Sequence, residues 1–326
     1  MAEPLRWGIL GAAKFAREHM APAIHAARGA ELSALATSDP AKAEPFAAFA
    51  PGLKVFGSYE DLLSDSSIDA VYVPLPNHLH AEFAIKAMDA GKHVLVEKPL
   101  GMRASDFDAV IAKRDETGLL AAEAYMIVHH PQWHRARDII QSGIIGEIVA
   151  ADGSFSYNLP AQNGNIRNSP ETGGGALPDI GVYTLGCVRY VTGLEPQSVP
   201  YAKIRRENDV DVHSTMTLEF DGFLYQSAVS MRAFPRQQVV FHGNKGILRV
   251  TCPFNANVFD QAELILETQP GQRVVERFAG VNQYTLQVEN FGRTVRDGVS
   301  YPCPLEFSKG TQAVIDMVFA SDGKGS

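Results

Sequence analysis

Across the first 125 residues, short apolar runs alternate with stretches of helical period, and no other feature of the chain restricts its fold as much. The apolar runs are Trp7–Gly11, Leu32–Ala36, Val55–Phe56, Ala70–Val73, His93–Val96 and Leu119–Glu123. Helical patterns lie between them, over Lys14–Arg28, Ala41–Phe49, Tyr59–Leu63, Ala81–Ala90 and Ser105–Thr117. A strand–helix–strand repeat implies parallel pairing with right-handed crossovers, because a tight turn cannot return the chain to a parallel neighbour. The spacing therefore predicts a doubly wound α/β half. Pro22, which lacks an N–H, is expected to kink or interrupt the first helix.

After residue 145 the period changes. Glu147–Tyr157, His213–Phe220, Phe223–Ser230, Val239–His242, Gly246–Val250 and Glu263–Glu267 read as strands, with turn signals at Asp221-Gly222 and Asn244-Lys245-Gly246. Helical patterns over Gln132–Gln141, Asp179–Val191, Tyr284–Val295 and Ser308–Phe319 are expected to cover one face of the sheet. The division predicts a parallel α/β domain over residues 1–124. An α+β domain with a large, mostly antiparallel, open-faced sheet follows over 125–326, its last helix free to pack back on the first domain.

A chain of 326 residues suits two such domains. Lys and Arg total 29 against 37 Asp and Glu, a net charge of −8, which disfavours nucleic acid and anionic membrane surfaces as partners. Cys187, Cys252 and Cys303 form no C-x-x-C pair, so neither a structural zinc site nor a disulfide framework is expected. No basic segment followed by an apolar one opens the chain, and no apolar stretch reaches the roughly 18 residues of a membrane helix. These features predict a soluble, cytoplasmic protein.

Gly8-Ile9-Leu10-Gly11-Ala12-Ala13-Lys14-Phe15-Ala16 leads from the first strand into the first helix. Gly11, Ala13 and Ala16 fill the three small positions of G-x-G-x-x-G/A, where a tight turn lets a pyrophosphate approach backbone N–H groups. Ala13 replaces the middle glycine, and its methyl narrows that approach. The second strand runs into Thr37-Ser38-Asp39, with Lys42 one turn on. Thr37 and Ser38 tolerate a ribose 2′-phosphate, and Lys42 or Lys14 can supply positive charge, which favours NADP. If the strand ends later, Asp39 is instead the acidic ribose ligand of an NAD enzyme.

Pro74-Leu75-Pro76-Asn77-His78-Leu79-His80 follows a buried strand, and Gly91-Lys92-His93-Val94-Leu95-Val96-Glu97-Lys98-Pro99 lies downstream. Further on stands Gly173-Gly174-Gly175-Ala176-Leu177-Pro178-Asp179-Ile180-Gly181-Val182-Tyr183. Together these segments resemble the Gfo/Idh/MocA family of oxidoreductases, over nearly the whole chain. Asn165-Ile166-Arg167 is similar to the branch of dihydrodiol dehydrogenases, D-xylose dehydrogenases and 1,5-anhydrofructose reductases. The resemblance implies a Rossmann domain and hydride transfer between NADP or NAD and a sugar or polyol. It implies that Lys98 lies near the reacting hydroxyl and that Tyr183 transfers the proton, with Asp179 one helical turn before it.

A phenol with an ordinary pKa near 10 is a poor base until a cation lowers it, so Lys98 and Tyr183 form one expectation. Asp179 can hold Lys98 or sugar hydroxyls, or simply cap the helix behind Pro178. Arg167 suits substrate oxygens or a cofactor phosphate. Pro74, Leu75, Pro76, Asn77, His80, Glu97 and Tyr284 are expected by resemblance to border the cofactor, with His78 pointing away. Pro99 permits a cis bond after Lys98.

His129, His130 and His134 lack the partners of a metal frame, and no metal site is expected. Val128 stands where relatives often carry an arginine, which leaves the particular sugar open. Two competing readings share the fold: a non-catalytic NAD(P)-sensing regulator and an NAD-dependent glycosidase. A homodimer or homotetramer through the open sheet face is the expected assembly.

Overall fold

The six apolar runs of the first half become strands β1 (Leu5–Leu10), β2 (Ala30–Ala36), β3 (Lys54–Phe56), β4 (Ala70–Val73), β5 (His93–Val96) and β6 (Ala121–Glu123). In this computed structural model, which describes residues 3–161 and 164–323, they form a sheet ordered β3-β2-β1-β4-β5-β6. Every neighbouring pair is parallel. Helices α1 (Ala21–Ala26), α2 (Glu44–Ala47), α3 (Tyr59–Ser64), α4 (His80–Asp89) and α5 (Asp106–Thr117) fall between the strands in sequence. All of β4 is buried, as a strand covered on both faces requires. The first helix is interrupted as the proline implies. The helical turns that begin at Lys14 widen to a π-helical segment over Ala16–Met20 directly ahead of α1 and Pro22, a local irregularity that accommodates a residue with no N–H.

The second sheet is built from β7 (Ile148–Asn158), β8 (Ser198–Glu207), β9 (Val210–Phe220), β10 (Phe223–Ser230), β11 (Arg232–Gly243), β12 (Ile247–Val250), β13 (Glu263–Gln269) and β14 (Gln272–Arg277). Its order is β14-β13-β12-β11-β7-β10-β9-β8. All its pairs are antiparallel except β7 with β10. Helices α6 (Pro131–Gln141) and α7 (Val182–Thr192) pack on one face, α6 over β12 and β13 and α7 over β7 and β10. Two hydrogen bonds tie buried side chains of this layer to backbone carbonyls. The Tyr225 hydroxyl donates to the Thr184 carbonyl at 2.8 Å, and the Trp133 indole donates to the Pro253 carbonyl at 2.7 Å. The protein is thus a mixed α/β chain with one parallel and one mostly antiparallel sheet.

One expectation fails here. The pattern over Tyr284–Val295 forms α8 (Gln283–Asp297) as a helix, but α8 does not cover the second sheet. Its buried face, with Tyr284, Val288 and Phe291, belongs to the first unit. There Phe291 meets the fully buried Trp7 of β1, ring centroids 4.9 Å apart. Period identifies an apolar stripe but not the surface it will find. The first compact unit runs to His129 and takes back Asn282–Lys309; the second runs His130–Val281 and resumes at Gly310, within α9 (Leu305–Ser321). Among the described residues, no helix is long and apolar enough to cross a membrane.

Candidate active site

In the first unit the loops at the carboxyl ends of β1, β4 and β5 meet at the point where strand order reverses, between β1 and β4. Open α/β sheets bind their ligands in that crevice. Gly11 closes the turn after β1 at φ +104°, with its N–H donating to the Ala36 carbonyl at 2.9 Å. A Cβ at this position would lie 3.3 Å from Leu75 and 3.4 Å from the Tyr59 hydroxyl, in space that the loop keeps narrow and open. Ala12 and Ala13 follow, partly exposed, and the helical turns begin at Lys14 and Phe15. The first N–H groups of such a helix have no partner within it and face outward, as an anion requires. These residues fit a dinucleotide pyrophosphate.

At the end of β2 the buried Thr37 turns its hydroxyl onto the backbone of Asp39, accepting from its N–H at 3.2 Å. The Asp39 carboxylate accepts from the Ala41 N–H at 3.1 Å and lies 4.0 Å from the Lys42 ammonium. Asp39 thus caps the turn over Pro40–Lys42. Ser38 and Lys42 are exposed beside it, and so is Lys14.

Three buried or half-buried side chains pin the loop that bears Lys98. The Tyr72 hydroxyl donates to Glu97 at 2.5 Å. The ring nitrogens of His80 lie 2.8 Å from the Pro99 carbonyl and 2.7 Å from the Leu75 carbonyl. The Glu123 carboxylate accepts from the Leu100 N–H at 2.8 Å. The Lys98–Pro99 bond is cis. Burial pushes the His80 pKa down to about 4, so the ring is neutral near pH 7 and donates to one of its two carbonyls. Burial pushes the Glu123 carboxyl up, and the nearby Lys98 ammonium opposes that rise. His80, expected at the cofactor, is buried and spans the loops after β4 and β5 instead. Pro74, Pro76 and Asn77 are half-buried, Leu75 is buried, and His78 is exposed. Tyr284 of α8 sits against Phe15 and His19, with ring centroids 5.6 and 5.4 Å away, and burial followed by the nearby Glu97 carboxylate raises its pKa.

In the second unit Arg167 and Asp179 come together. Arg167 Nε lies 2.9 Å from Asp179 Oδ2, and the Tyr157 hydroxyl donates to the same oxygen at 2.6 Å. Burial, with the Asp179 charge behind it, raises the Tyr157 pKa, so Tyr157 stays a donor. Tyr183 begins α7 one helical turn after Asp179 and packs beside Phe155 and Phe254. Asp179 therefore does not cap its helix; its carboxylate turns sideways to Arg167 and Tyr157. Tyr157 itself was not singled out by sequence, since nothing in the alternation of β7 separates it from other strand residues. The three histidines form no metal cluster among the described residues. His130 caps α6 by accepting the Gln132 N–H at 3.1 Å.

A parallel sheet ordered 3-2-1-4-5-6 with a small-residue turn after β1 defines a dinucleotide-binding protein, here joined to a second, open sheet. Residues 5–125 match the model of an oxidoreductase family with an NAD-binding Rossmann fold, and residues 133–249 match the GFO/IDH/MocA C-terminal domain. The chain belongs to the Gfo/Idh/MocA oxidoreductase family. It is 33% identical to a D-xylose 1-dehydrogenase (NADP(+)) of Haloferax volcanii, over 99% of this chain and 98% of the relative. It is 42% identical to a dTDP-3,4-didehydro-2,6-dideoxy-alpha-D-glucose 3-reductase of Saccharopolyspora spinosa, over 68% of this chain and 67% of the relative. KijD10, a 3-ketoreductase from Actinomadura kijaniata solved with NADP and TDP-benzene, superposes with a TM-score of 0.89 at 32% identity, covering 98% of both chains.

Proposed function

We propose that the chain is an NADP-preferring oxidoreductase, able to use NAD, that acts on the CH–OH or C=O group of a sugar or polyol-like substrate through Lys98 and Tyr183. The observation that carries this reading is the pinning of residues 97, 99 and 100 by Tyr72, His80 and Glu123, which holds Lys98 at the carboxyl end of β5 where strand order favours a ligand. The names of the relatives support the reaction class, since they are sugar dehydrogenases and reductases, two of them tied to NADP.

When bound, the nicotinamide ring supplies or accepts the hydride. The turn at Gly11 would admit the pyrophosphate, and the N–H groups of Ala12, Ala13, Lys14 and Phe15 would hold it, the Gly11 N–H being engaged by the Ala36 carbonyl. Thr37 and Ser38 leave room for a 2′-phosphate that Lys42 and Lys14 would neutralise, while Asp39 is spent on its own turn. Pro74, Leu75, Pro76, Asn77, Glu97 and Tyr284 would border the cofactor, with His80 behind them. The Lys98 ammonium stabilises a developing alkoxide and lowers the pKa of the Tyr183 phenol. Tyr183 Oη takes the hydroxyl proton in oxidation and returns it in reduction. Asp179, fixed by Tyr157 and Arg167, orients substrate hydroxyls.

Residues 1–124 serve the dinucleotide and 125–326 the substrate in this reading, with Tyr284 on the dinucleotide side. The protein is placed in the cytoplasm, on its cysteine usage, as a homodimer or homotetramer. The outward row of the second sheet, which includes Leu224 on β10, supplies the interface.

A panel of free sugars and polyols with NADP and NAD separately, read at 340 nm, tests the activity. Substrate-dependent change with NADP above NAD is the expected result. Cleavage of aryl glycosides without net absorbance change would instead identify a glycosidase, and cofactor binding with no turnover a regulator. Lys98→Met and Tyr183→Phe should each lower kcat by several orders of magnitude with NADP affinity unchanged, by fluorescence titration. Near-normal turnover in either variant removes that residue from the mechanism.

A further inference from the structure

Strand β9 brings a carboxylate to the back of the segment that carries Asp179 and Tyr183. Asp211 is 4% exposed, and its Oδ2 accepts the Leu177 N–H at 2.7 Å. Among the described residues, neither the cap position of the π-helical turn over Leu177–Gly181 nor that of α7 makes a side-chain cap hydrogen bond of its own. The backbone before the turn is shaped around the same group. Gly175 adopts φ +135°, and a Cβ there would stand 2.0 Å from Asp211 Oδ1. Gly174 makes matching room for the Arg167 turn, because its Cβ would stand 2.5 Å from the Arg167 carbonyl oxygen. The glycine run thus fits Asp211 on one side and the Arg167 segment on the other.

We propose that Asp211 is a positioning residue of the reaction, its carboxylate holding the backbone at Ala176–Leu177 so that Asp179 and, one turn later, Tyr183 are presented in register. This rests on the reading that Asp179 and Tyr183 act on substrate. An ionised carboxylate is the natural acceptor at a helix N-terminus, since charge strengthens each hydrogen bond and complements the positive end of the helix dipole. Protonation weakens both effects. Burial raises the Asp211 carboxyl to about 7; the Leu177 and Ala176 amides, and Arg206 on β8, oppose that rise. Arg206 is itself paired with Asp322 at 2.6 Å. The cap is therefore poised to lose its charge just below neutral pH.

The test compares wild-type enzyme, Asp211→Asn and Tyr183→Phe with NADPH and the best carbonyl substrate from the sugar panel. Asp211→Asn should lower kcat at least tenfold while the NADPH dissociation constant stays within twofold. Its kcat–pH profile should lack an acid limb near pH 7 that the wild-type profile shows. A kcat within threefold of wild type, with the limb intact, overturns the assignment. Should Asp211→Asn not fold, hydrogen exchange on the wild-type chain decides. Corrected for intrinsic rate, protection of the Leu177 amide should fall at least fivefold between pH 8 and pH 6, and equal protection overturns it. An inactive Tyr183→Phe beside a normal Asp211→Asn refutes the positioning role alone. An active Tyr183→Phe removes the catalytic reading and this inference with it.

Discussion

Two donors converge on a single oxygen of Asp179, one from Arg167 and one from Tyr157. A carboxylate held this way has few rotamers left, which is what a group that orients substrate hydroxyls needs. Asp211 behind it is held at a thermodynamic cost. Its folded pKa of about 7 exceeds the ordinary 3.8, so the folded state binds the proton more tightly than the unfolded state. The stability contributed by its protonated form is complete below 3.8 and is lost as pH rises through 7. Between pH 5.5 and 8 this amounts to about 2 kcal/mol. His80 works in the opposite direction, because its pKa is lowered to about 4 and its contribution is lost on acidification. The Asp211 effect is therefore read as a difference between proteins. In urea melts, the wild-type stability at pH 8 relative to pH 5.5 should fall about 2 kcal/mol further than that of Asp211→Asn, and parallel pH dependences would contradict the shift.

At the scale of elements, the glycine run and the Arg167 turn form one packing unit. In Gly174→Ala the new methyl meets two backbone oxygens, those of Arg167 at 2.5 Å and Ile166 at 2.7 Å, neither of which can swing aside. Overpacking of this kind costs about 1–3 kcal/mol. The variant should show a lower melting temperature and a raised substrate KM, with NADP affinity unchanged; a wild-type KM would show that the Arg167 turn does not report on substrate. The same scale explains what sequence could and could not say. Strands with apolar runs were legible nearly to the residue, β4 and β5 among them. The two strands missed, β8 and β14, are the two edges of the second sheet. Edge strands carry charge in place of an apolar run, as in Lys203-Ile204-Arg205-Arg206 and Gln272-Arg273, and β8 even accommodates Pro200. Among site residues, Lys98 and Tyr183 stood out because each lies in a continuous motif. Tyr157 and Asp211 reach their partners across 22 and 34 residues. Only the fold places them there.

For the whole molecule, the proposed assembly rests on the outward row of the second sheet. Side chains alternate across β10, so Tyr225 turns inward to α7 while Leu224 turns outward and is 47% exposed. On β8, Tyr201 faces the same way and is 43% exposed. Leu224→Glu should convert the proposed homo-oligomer to smaller species in light scattering, with a folded circular dichroism spectrum. An unchanged mass would place the interface elsewhere or remove it.

The return of α8 to the first unit also has a consequence in time. Trp7 leaves the ribosome before its partner Phe291, which follows 284 residues later. At about 5–20 residues per second the interval is roughly 15–60 s. Throughout it the surface that α8 will cover stays open to water, to chaperones and to other nascent chains, while the entire second sheet is being synthesised. The first unit is begun before the second sheet and completed only after it.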